Sequence, residues 1–264
     1  MAGRLVMRGI ALAYLGVLLA VPVGMVMVKT FEPGPVAVWQ AVTTPAALHA
    51  FWLTLLVTAV AVPLNAVFGV LAALVLVRGR SRLRPVLDVM VGLPFAVSPV
   101  VVGLAMILVY GRDGWLGGWL ADAGIRIIFS VPGIVIATMF VCLPFVAREV
   151  VPVLREIGTE QEQAASTLGA SGWQTFWRVT LPAIRWGLAY GVVLSTARAV
   201  GEFGAVSIVS GKISGQTETL TLLVEKRYTN FDMAGAYAAS ALLAVIALAT
   251  LGLMALLQRR KDTA

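Results

Sequence analysis

Long apolar stretches are the feature that most constrains how this chain of 264 residues can fold. Six stretches are long enough to cross a hydrocarbon core of about 30 Å. They cover residues 10–28, 50–77, 89–110, 127–147, 186–209 and 233–257. Because a lone strand would leave its backbone groups unpaired in lipid, we predict that each stretch is a helix. The chain is therefore predicted to be an all-α membrane protein with a single transmembrane domain, 1–264.

The composition excludes an ordinary soluble enzyme. Hydrophobic residues make up 59% of the chain and charged residues only 12%, whereas a soluble domain is about a quarter charged and under half apolar. Arg4 and Arg8 precede the first apolar stretch, as basic residues do in a signal peptide. This stretch is longer than a usual signal-peptide core, and no small-residue cleavage site clearly ends it. We therefore expect it to be retained as the first membrane helix.

The basic residues predict the orientation of the chain. Six crossings place both termini on one side, where thirteen basic residues are expected: Arg4, Arg8, Arg78, Arg80, Arg82, Arg84, Arg148, Arg155, Arg178, Arg185, Arg259, Arg260 and Lys261. Six are expected on the other side: Lys29, Arg112, Arg126, Lys212, Lys226 and Arg227. By the positive-inside rule, we expect both termini in the cytoplasm and the chain in the inner (cytoplasmic) membrane. The net charge of +7 then reflects topology beside an anionic lipid surface and requires no nucleic acid partner.

Residues that could form a catalytic or metal site are scarce. The chain has one cysteine, Cys142, and one histidine, His49. A single cysteine permits no internal disulfide and no cysteine cluster, and His49 lacks the partners of a metal site. With few carboxylates in the apolar stretches, the chain offers no combination of nucleophile, base and orienting group. We therefore predict no catalytic residue and no bound metal.

An ATP-binding loop is also absent from the sequence. A P-loop requires the pattern Gly-x-x-x-x-Gly-Lys-Ser/Thr to hold phosphates. The pair Gly211 and Lys212 is followed by Ile213, and Val206 stands where the first glycine belongs. We expect that the chain binds no ATP in this way, so that ATP-driven transport requires a separate ATPase subunit.

The polar segment between the fourth and fifth apolar stretches carries two consecutive helix-start patterns. Thr159 followed by Glu162 fits a capping box, and Ser171 followed by Gln174 fits another. Gly169 lies between them, at a position where a residue with positive φ ends a helix. We therefore predict two short helices that meet at a sharp joint.

The two predicted helices have distinct faces. Helical spacing places small or apolar residues on one side of the first helix: Ala164, Ala165 and Leu168. It brings aromatic residues of the second helix together: Trp173, Phe176 and Trp177. Pro182 is expected to end the second helix and to lie in the first turn of the fifth membrane helix. We expect a partner to cover both faces, with the membrane interface as the alternative cover for the aromatic face.

The same segment resembles the EAA loop of ABC importer permeases. The resemblance lies in Gln163-Ala164-Ala165, in Gly169 after three residues, and in Val179-Thr180-Leu181-Pro182 after nine more. In that family the loop is a coupling helix that docks into a cleft of the ATPase. Gln163 stands where the family usually has Glu, and Val179 where it usually has Ile, so Glu162 is expected to supply part of the missing charge. The resemblance assigns ATPase coupling to these positions within 159–182: Glu160, Glu162, Gln163, Ala164, Ala165, Leu168, Gly169, Leu181 and Pro182.

Three further motifs are similar to those of CysW-type subunits of sulfate/thiosulfate importers. They are LPFAVSPVV at 93–101, PFVARE at 144–149 and ARAVGEFGA at 197–205. The resemblance implies the type I ABC importer permease (MetI-like) fold, with six transmembrane helices and a cytoplasmic coupling helix. It also implies a complex with a CysT-type permease, two CysA-type ATPase subunits and an extracytoplasmic sulfate-binding protein. ATP and Mg are then expected on the partner ATPase, and no cofactor on this chain.

Two charged residues lie deep in the fifth apolar stretch. Arg198 and Glu202 are four residues apart, which places them on one face of the predicted helix, roughly 20 and 25 Å from its cytoplasmic end. Because charge inside a membrane is costly, both are functional candidates. Either they form an ion pair that locks helix packing, or Arg198 attracts a passing dianion while Glu202 holds the arginine. Gly187 and Gly191 form a small-xxx-small pair, which predicts close packing of this helix.

A further group of residues is assigned to the translocation path: Pro94, Ser98, Pro99, Ser195 and Ser207. The two prolines free backbone carbonyls around Ser98, and they predict a kinked third helix beside a cavity or gate. The serine hydroxyls either donate hydrogen bonds to sulfate oxygens or bond to carbonyls of their own helix.

An ATP-driven importer of sulfate or thiosulfate is the leading functional hypothesis. A molybdate or tungstate permease is the alternative within the same class, because its Gly-Glu-Phe-Gly pattern is similar, although the run 93–101 favours sulfate. An ATP-independent anion channel or membrane scaffold is the alternative from a different class. That alternative predicts flux or signalling without any ATPase.

Overall fold

The computed structural model describes residues 2–79 and 82–262, and every regular element within these ranges is helical. The first half of the chain contains α1 (Ala2–Leu15), the π-helix π1 (Gly16–Ala20), α2 (Val21–Phe31), α3 (Pro35–Val42), α4 (Pro45–Arg78), α5 (Arg84–Ala96), α6 (Pro99–Tyr110) and α7 (Gly117–Asp122). The second half contains α8 (Val131–Glu156), α9 (Glu160–Thr167), α10 (Gly172–Thr175), the π-helix π2 (Phe176–Thr180), α11 (Leu181–Val200), α12 (Val206–Val209), α13 (Leu220–Thr229) and α14 (Met233–Asp262).

Four of the described helical runs are long and apolar enough to cross a membrane: Val6–Phe31, Pro45–Arg78, Val131–Glu156 and Met233–Leu256. They match the first, second, fourth and sixth predicted stretches. Helix α8 continues nine residues beyond the predicted end at residue 147, although Pro144 and Pro152 lie inside it. The apolar pattern marks only the part of a helix that lies in lipid, so it ends before the helix does.

The third predicted span, 89–110, is broken rather than kinked. Helices α5 and α6 make an angle of 113° across the two residues between them, Val97 and Ser98. Both residues have extended backbone, with ψ angles of 133° and 134°. Pro99 causes the break, because its ring disfavours helical conformation in the preceding residue and it has no N–H to donate. The predicted position of the distortion is confirmed, and the pair forms either one bent span or a re-entrant loop.

The fifth predicted span, 186–209, coincides with α11 over 186–200, and its last nine residues lie beyond that helix. Helical structure runs without interruption through α10, π2 and α11, so Pro182 does not end a helix. Pro182 lies in the first turn of α11. A proline has no backbone N–H to donate, and the π-helical turn π2 just before it changes the hydrogen-bond pattern of the helix at this point. Helix α11 ends at Val200, with Gly201 as its C-cap. Length and composition therefore select four spans among the described residues, or five with the bent pair, and six spans are not confirmed.

Helices α4, α8 and α11 pack against one another, and we call them the three-helix core. They bury a cluster of apolar side chains: Val70, Ala73, Val146, Val150, Leu154 and Ile184. Gly69 and Gly191 both approach Val146, and a Cβ atom built at Gly191 would lie 2.7 Å from the Val146 Cα atom. A Cβ atom built at Gly187 would lie 2.9 Å from the Glu149 carbonyl oxygen. The close packing predicted from Gly187 and Gly191 is confirmed, and such contact is a main source of helix association in lipid.

Candidate functional site

Two interruptions of helical structure meet beside the three-helix core. One is the break between α5 and α6, and the other is the turn 201–205 that follows α11. A Cβ atom built at Gly204 would lie 2.8 Å from the Cβ atom of Pro99, so a side chain at Gly204 would force the two interruptions apart. The motifs 93–101 and 197–205, which are distant in sequence, are therefore in contact.

Arg198 and Glu202 form an ion pair at this junction. Arg198 lies in the last turn of α11, and its Nη2 atom is 2.5 Å from a carboxylate oxygen of Glu202. The prediction that both residues share one helix face is wrong, because Gly201 ends the helix and Glu202 lies beyond it. The other carboxylate oxygen accepts a hydrogen bond of 2.8 Å from the Ala205 N–H, which fixes the turn. The Glu202 side chain is 1% exposed and that of Arg198 is 32% exposed, so the pair is open on the arginine side.

The prolines and serines assigned to the path differ in exposure. Pro94 is buried in α5, whereas Ser98 is exposed and makes no capping hydrogen bond at the start of α6. Ser195 is fully buried in α11. Ser207 donates a hydrogen bond of 2.8 Å to the Gly204 carbonyl oxygen, which is the local bonding that the sequence left as the alternative. Ser98 is thus the exposed serine of this group.

The predicted joint between the two short helices is confirmed. Gly169 has a φ angle of 83°, and α9 ends two residues before it at Thr167. At the start of α10, Ser171 and Gln174 form the predicted capping box. The Ser171 N–H donates to the Gln174 Oε1 atom at 2.9 Å, and the Gln174 N–H donates to the Ser171 Oγ atom at 3.3 Å.

The capping box predicted at Thr159 and Glu162 is wrong. Thr159 makes no capping hydrogen bond, and its hydroxyl accepts a hydrogen bond of 3.1 Å from the Gln163 side chain. One carboxylate oxygen of Glu162 accepts from Arg78 Nε at 2.9 Å, and the other accepts from the Thr180 hydroxyl at 2.9 Å. Hydrogen bonds between ionised groups are roughly twice as strong as neutral ones. The Glu162 carboxylate therefore bonds to Arg78 instead of capping α9 through a local backbone N–H.

Arg78, Glu162 and Thr180 connect three elements, and we call them the polar brace. Arg78 ends α4, and it also donates a hydrogen bond to the Gly158 carbonyl oxygen in the loop before α9. The Arg78 and Glu162 side chains are 19% and 21% exposed, and Thr180 is buried. Sequence reasoning missed the roles of Arg78 and Thr180. Arg78 and Glu162 are 84 positions apart in the chain, so no local pattern pairs them.

The opposite face of α9 is open. None of the described residues of α9 is buried, and the Leu168 side chain that follows it is 89% exposed. Among the residues predicted to contact an ATPase, the exposed ones are Glu160, Gln163, Ala164, Leu168, Gly169 and Pro182. Ala165 and Leu181 are half-buried. A cleft of about 640 Å³ runs between this face and the start of α11.

The aromatic side chains of α10 and π2 lie together as predicted, in edge-to-face contact. The ring centroids of Trp173 and Trp177 are 5.5 Å apart, as are those of Phe176 and Trp177. Phe176 packs against the apolar cluster of the three-helix core, whereas both tryptophans are exposed. The aromatic group therefore joins the core on one side and presents a surface on the other.

Two further acidic residues, Glu218 and Glu225, are paired with lysines. Glu218 has a side chain that is 1% exposed, lies 3.1 Å from the Lys226 Nζ atom and accepts a hydrogen bond from Ser214. Lys212 and Glu225 form a second pair at 2.7 Å. Within residues 2–79 and 82–262, no group of three or more His, Cys, Asp or Glu side chains is placed to hold a metal ion.

Comparisons with known sequences agree with this architecture. Residues 65–263 match the family described as binding-protein-dependent transport system inner membrane component. The chain is 51% identical to the sulfate transport system permease protein CysW of Synechococcus elongatus, over 97% of this chain and 90% of that protein. It is 47% identical to CysW of Escherichia coli K12, over 98% and 89% of the two chains. It is 39% identical to the sulfate transport system permease protein CysT of the same bacterium, over 93% and 88%.

A solved structure shares the fold. A chain of the bacterial ABC transporter involved in the import of the acidic polysaccharide alginate superposes with a TM-score of 0.79 at 18% sequence identity, covering 97% of this chain and 94% of that one. At this identity the likeness concerns the fold alone. The family match covers most of the chain, and the sequence relatives and the fold agree with it. The chain belongs to the family of inner membrane components of binding-protein-dependent transport systems.

Proposed function

We propose that this chain is the permease subunit of an ATP-driven importer of sulfate or thiosulfate. The observation that carries the proposal is its identity of 47% and 51% to sulfate transport permeases of two organisms, over at least 97% of this chain. Because substrate choice depends on residues spread along the whole path, identity at this level over nearly the full length supports a shared substrate. The absence of a P-loop pattern supports ATP binding by a separate subunit.

In this proposal both termini lie in the cytoplasm. The distribution of basic residues supports that orientation, since cytoplasmic loops carry an excess of Lys and Arg. The polar brace, the exposed face of α9 and the adjacent cleft then all lie on the cytoplasmic side, where an ATPase could reach them.

Helix α9 is the coupling helix in this proposal. Its exposed Ala164 allows a partner backbone to approach closely, and Leu168 is an apolar side chain with 89% exposure that a partner would cover. Gln163 is exposed and neutral, so docking at this position depends on packing and hydrogen bonding rather than on a salt bridge.

The complete importer contains this chain, a CysT-type permease, two CysA-type ATPase subunits and an extracytoplasmic sulfate-binding protein. The chain's similarity to relatives named CysW and to one named CysT supports a pair of related permeases. ATP and Mg bind to the ATPase subunits, whose movement is passed to α9.

The translocation path runs past the junction of the two helix breaks. Irregular backbone at membrane depth is tolerated where it is buried in protein or lines a cavity, and broken helices form the substrate sites of many transporters. Arg198, open on one side, gives this junction positive potential for a dianion, while buried Glu202 holds the guanidinium in place. Ser98, exposed at the start of α6, is the hydroxyl best placed to donate to an oxyanion.

The proposal is tested by uptake of radiolabelled sulfate in a host that lacks this gene. The host is complemented with the native chain or with Gly169→Glu, and co-purification reports whether the ATPase is bound. We expect the native chain to restore uptake and the variant to lose both uptake and ATPase. If the assembled native complex imports molybdate or tungstate but no sulfate, the proposed substrate is wrong and one of those anions takes its place. A native chain that never retains an ATPase would overturn the importer function.

A further inference from the structure

We propose that Glu162 is a positioning residue of the importer, and that the polar brace carries the displacement of α9 into the three-helix core. The inference rests on the coupling role of α9 proposed above. It assigns the Glu162 carboxylate to a contact within this chain, so that Glu162 is not one of the residues that touch the ATPase.

The polar brace supplies the side-chain hydrogen bonds that tie α9 to other helices. None of the described residues of α9 is buried. Its other side-chain hydrogen bonds are local, from Gln163 to Thr159 and from Thr167 to the Ala164 carbonyl oxygen. Among the described residues of α9, Glu162 is therefore the one whose side chain hydrogen-bonds to other helices.

A cavity separates α9 from the bundle around the brace. It has a volume of about 360 Å³, and its lining includes all three brace residues together with Leu74, Ser166 and Phe176. Around the brace, open space therefore lies between α9 and the core. The ion pair from Arg78 and the hydrogen bond from Thr180 are the side-chain contacts of Glu162 that cross it, and they can pass a movement of α9 inward.

The brace connects the end of α4, the loop that leaves α8 and the residue that precedes α11. Arg78 is the last residue of α4, and its guanidinium also holds Gly158 in the loop that leaves α8. Thr180 is the last residue of π2 and immediately precedes α11. A π-helical turn inside a longer helix often marks a functional site. The brace is thus attached at the point where the π-helical hydrogen bonds of π2 give way to the α-helical ones of α11, the helix that carries Arg198.

The first experiment uses the assembled complex with its ATPase and partner permease. The variants are Glu162→Gln, Arg78→Gln, the two combined, and the charge exchange R78E/E162R. Arg155→Gln and Glu156→Gln are the controls, because both side chains are exposed at the end of α8. The measurements are anion imported per ATP hydrolysed and the amount of ATPase that co-purifies.

We expect each brace variant to lower the anion imported per ATP by roughly fivefold while the bound ATPase stays at the native amount. The combined variant should be no worse than either single one, the charge exchange should recover part of the ratio, and the controls should match the native complex. Loss of ATPase in Glu162→Gln but not in Arg78→Gln would show that Glu162 contacts the ATPase directly and would overturn the inference. Additive losses in the combined variant would overturn it as well.

The second experiment needs no ATPase. Hydrogen exchange of the backbone amides of 159–170 is measured in the purified chain in lipid nanodiscs. Glu162→Gln and Arg78→Gln should each raise the exchange rate roughly tenfold, and Glu156→Gln should not. Unchanged exchange in both brace variants would show that the brace does not hold α9.

The two experiments separate this inference from the function on which it rests. A native complex that couples ATP hydrolysis to import, together with brace variants of native ratio, would overturn the brace and leave the importer intact. A native chain that binds no ATPase would overturn the importer and, with it, the transmission through the brace.

Discussion

The three-helix core and helix α9 are held in place by opposite means. In the core, Gly69 and Gly191 bring backbones so close to Val146 that a single methyl group would not fit. Helix α9 has no buried residue among those described, and its side-chain hydrogen bonds to other helices are those of the polar brace. Close packing resists small displacements, whereas a half-exposed polar contact can break and reform for about 1 kcal/mol. The core is therefore built to move as one body, and α9 is the adjustable part.

The largest expected effect is that of Arg198→Gln, in the last turn of the core helix α11. The change leaves Glu202 charged, 1% exposed and without its guanidinium, and we expect a loss of about 3–5 kcal/mol in the free energy of unfolding. Denaturant unfolding of the purified chain measures it. Lys29→Gln is the control, because the Lys29 to Glu32 pair lies at the surface and its loss should be undetectable. If the Arg198→Gln complex assembles and imports normally, Arg198 has no part in anion passage.

Next in size is Gly191→Ala, which adds one methyl group against Val146. We expect a loss of about 1–3 kcal/mol, because the Val146 backbone cannot yield without moving α8. Gly24→Ala is the matched control in α2, where an added Cβ atom meets nothing within 4 Å. Thermal unfolding of both variants should give a lower midpoint for Gly191→Ala than for Gly24→Ala. Equal midpoints would show that the core has room for the added methyl group.

Gly169→Ala should act on α9 alone. The φ angle of 83° strains any residue with a Cβ atom by about 1 kcal/mol, and the space around Gly169 is open. We expect faster amide exchange in 159–170 with an unchanged global unfolding midpoint. A global shift as large as that of Gly191→Ala would mean that α9 belongs to the core, and the comparison between the two regions would be lost.

The smallest effect on stability is expected for Leu168→Ala. Its side chain is 89% exposed, so the unfolding free energy should change by less than about 0.5 kcal/mol. The amount of co-purified ATPase should nevertheless fall, because this side chain lies on the face proposed to dock. Ile213→Ala, also exposed but in the loop before α13, is expected to leave ATPase binding unchanged.

Features with a local cause were predictable from the sequence. The capping box of Ser171 and Gln174, the positive φ of Gly169 and the distortion before Pro99 each arise within about four residues. Four of the six spans were also found, because apolar length is a property of one segment. The close approach at Gly191 was predicted from spacing alone.

Features that depend on distant residues were not predictable in this way. The capping box at Thr159 fails because Glu162 pairs with Arg78 from another helix. Pro182 does not stop its helix, since π2 changes the bonding just before it. Glu202 leaves the predicted helix face because Gly201 ends α11, and its carboxylate then holds the following turn. In each case a contact outside the local window decides among conformations that the local pattern allows.

The uninterrupted helix from Gly172 to Val200 gives the molecule a lever. This helix is about 40 Å long. Thr180, which the brace holds, is the pivot. Trp173 and Trp177 lie on the short side of the pivot, and Arg198 lies on the long side. A tilt of about 5° around Thr180 swings Arg198 by about 2 Å, given roughly 1.5 Å of rise per residue. Glu202 follows the end of α11 by two residues and moves with it, so the ion pair stays together. A tilt of this size instead shifts the pair relative to Pro99, which the turn after α11 contacts at Gly204.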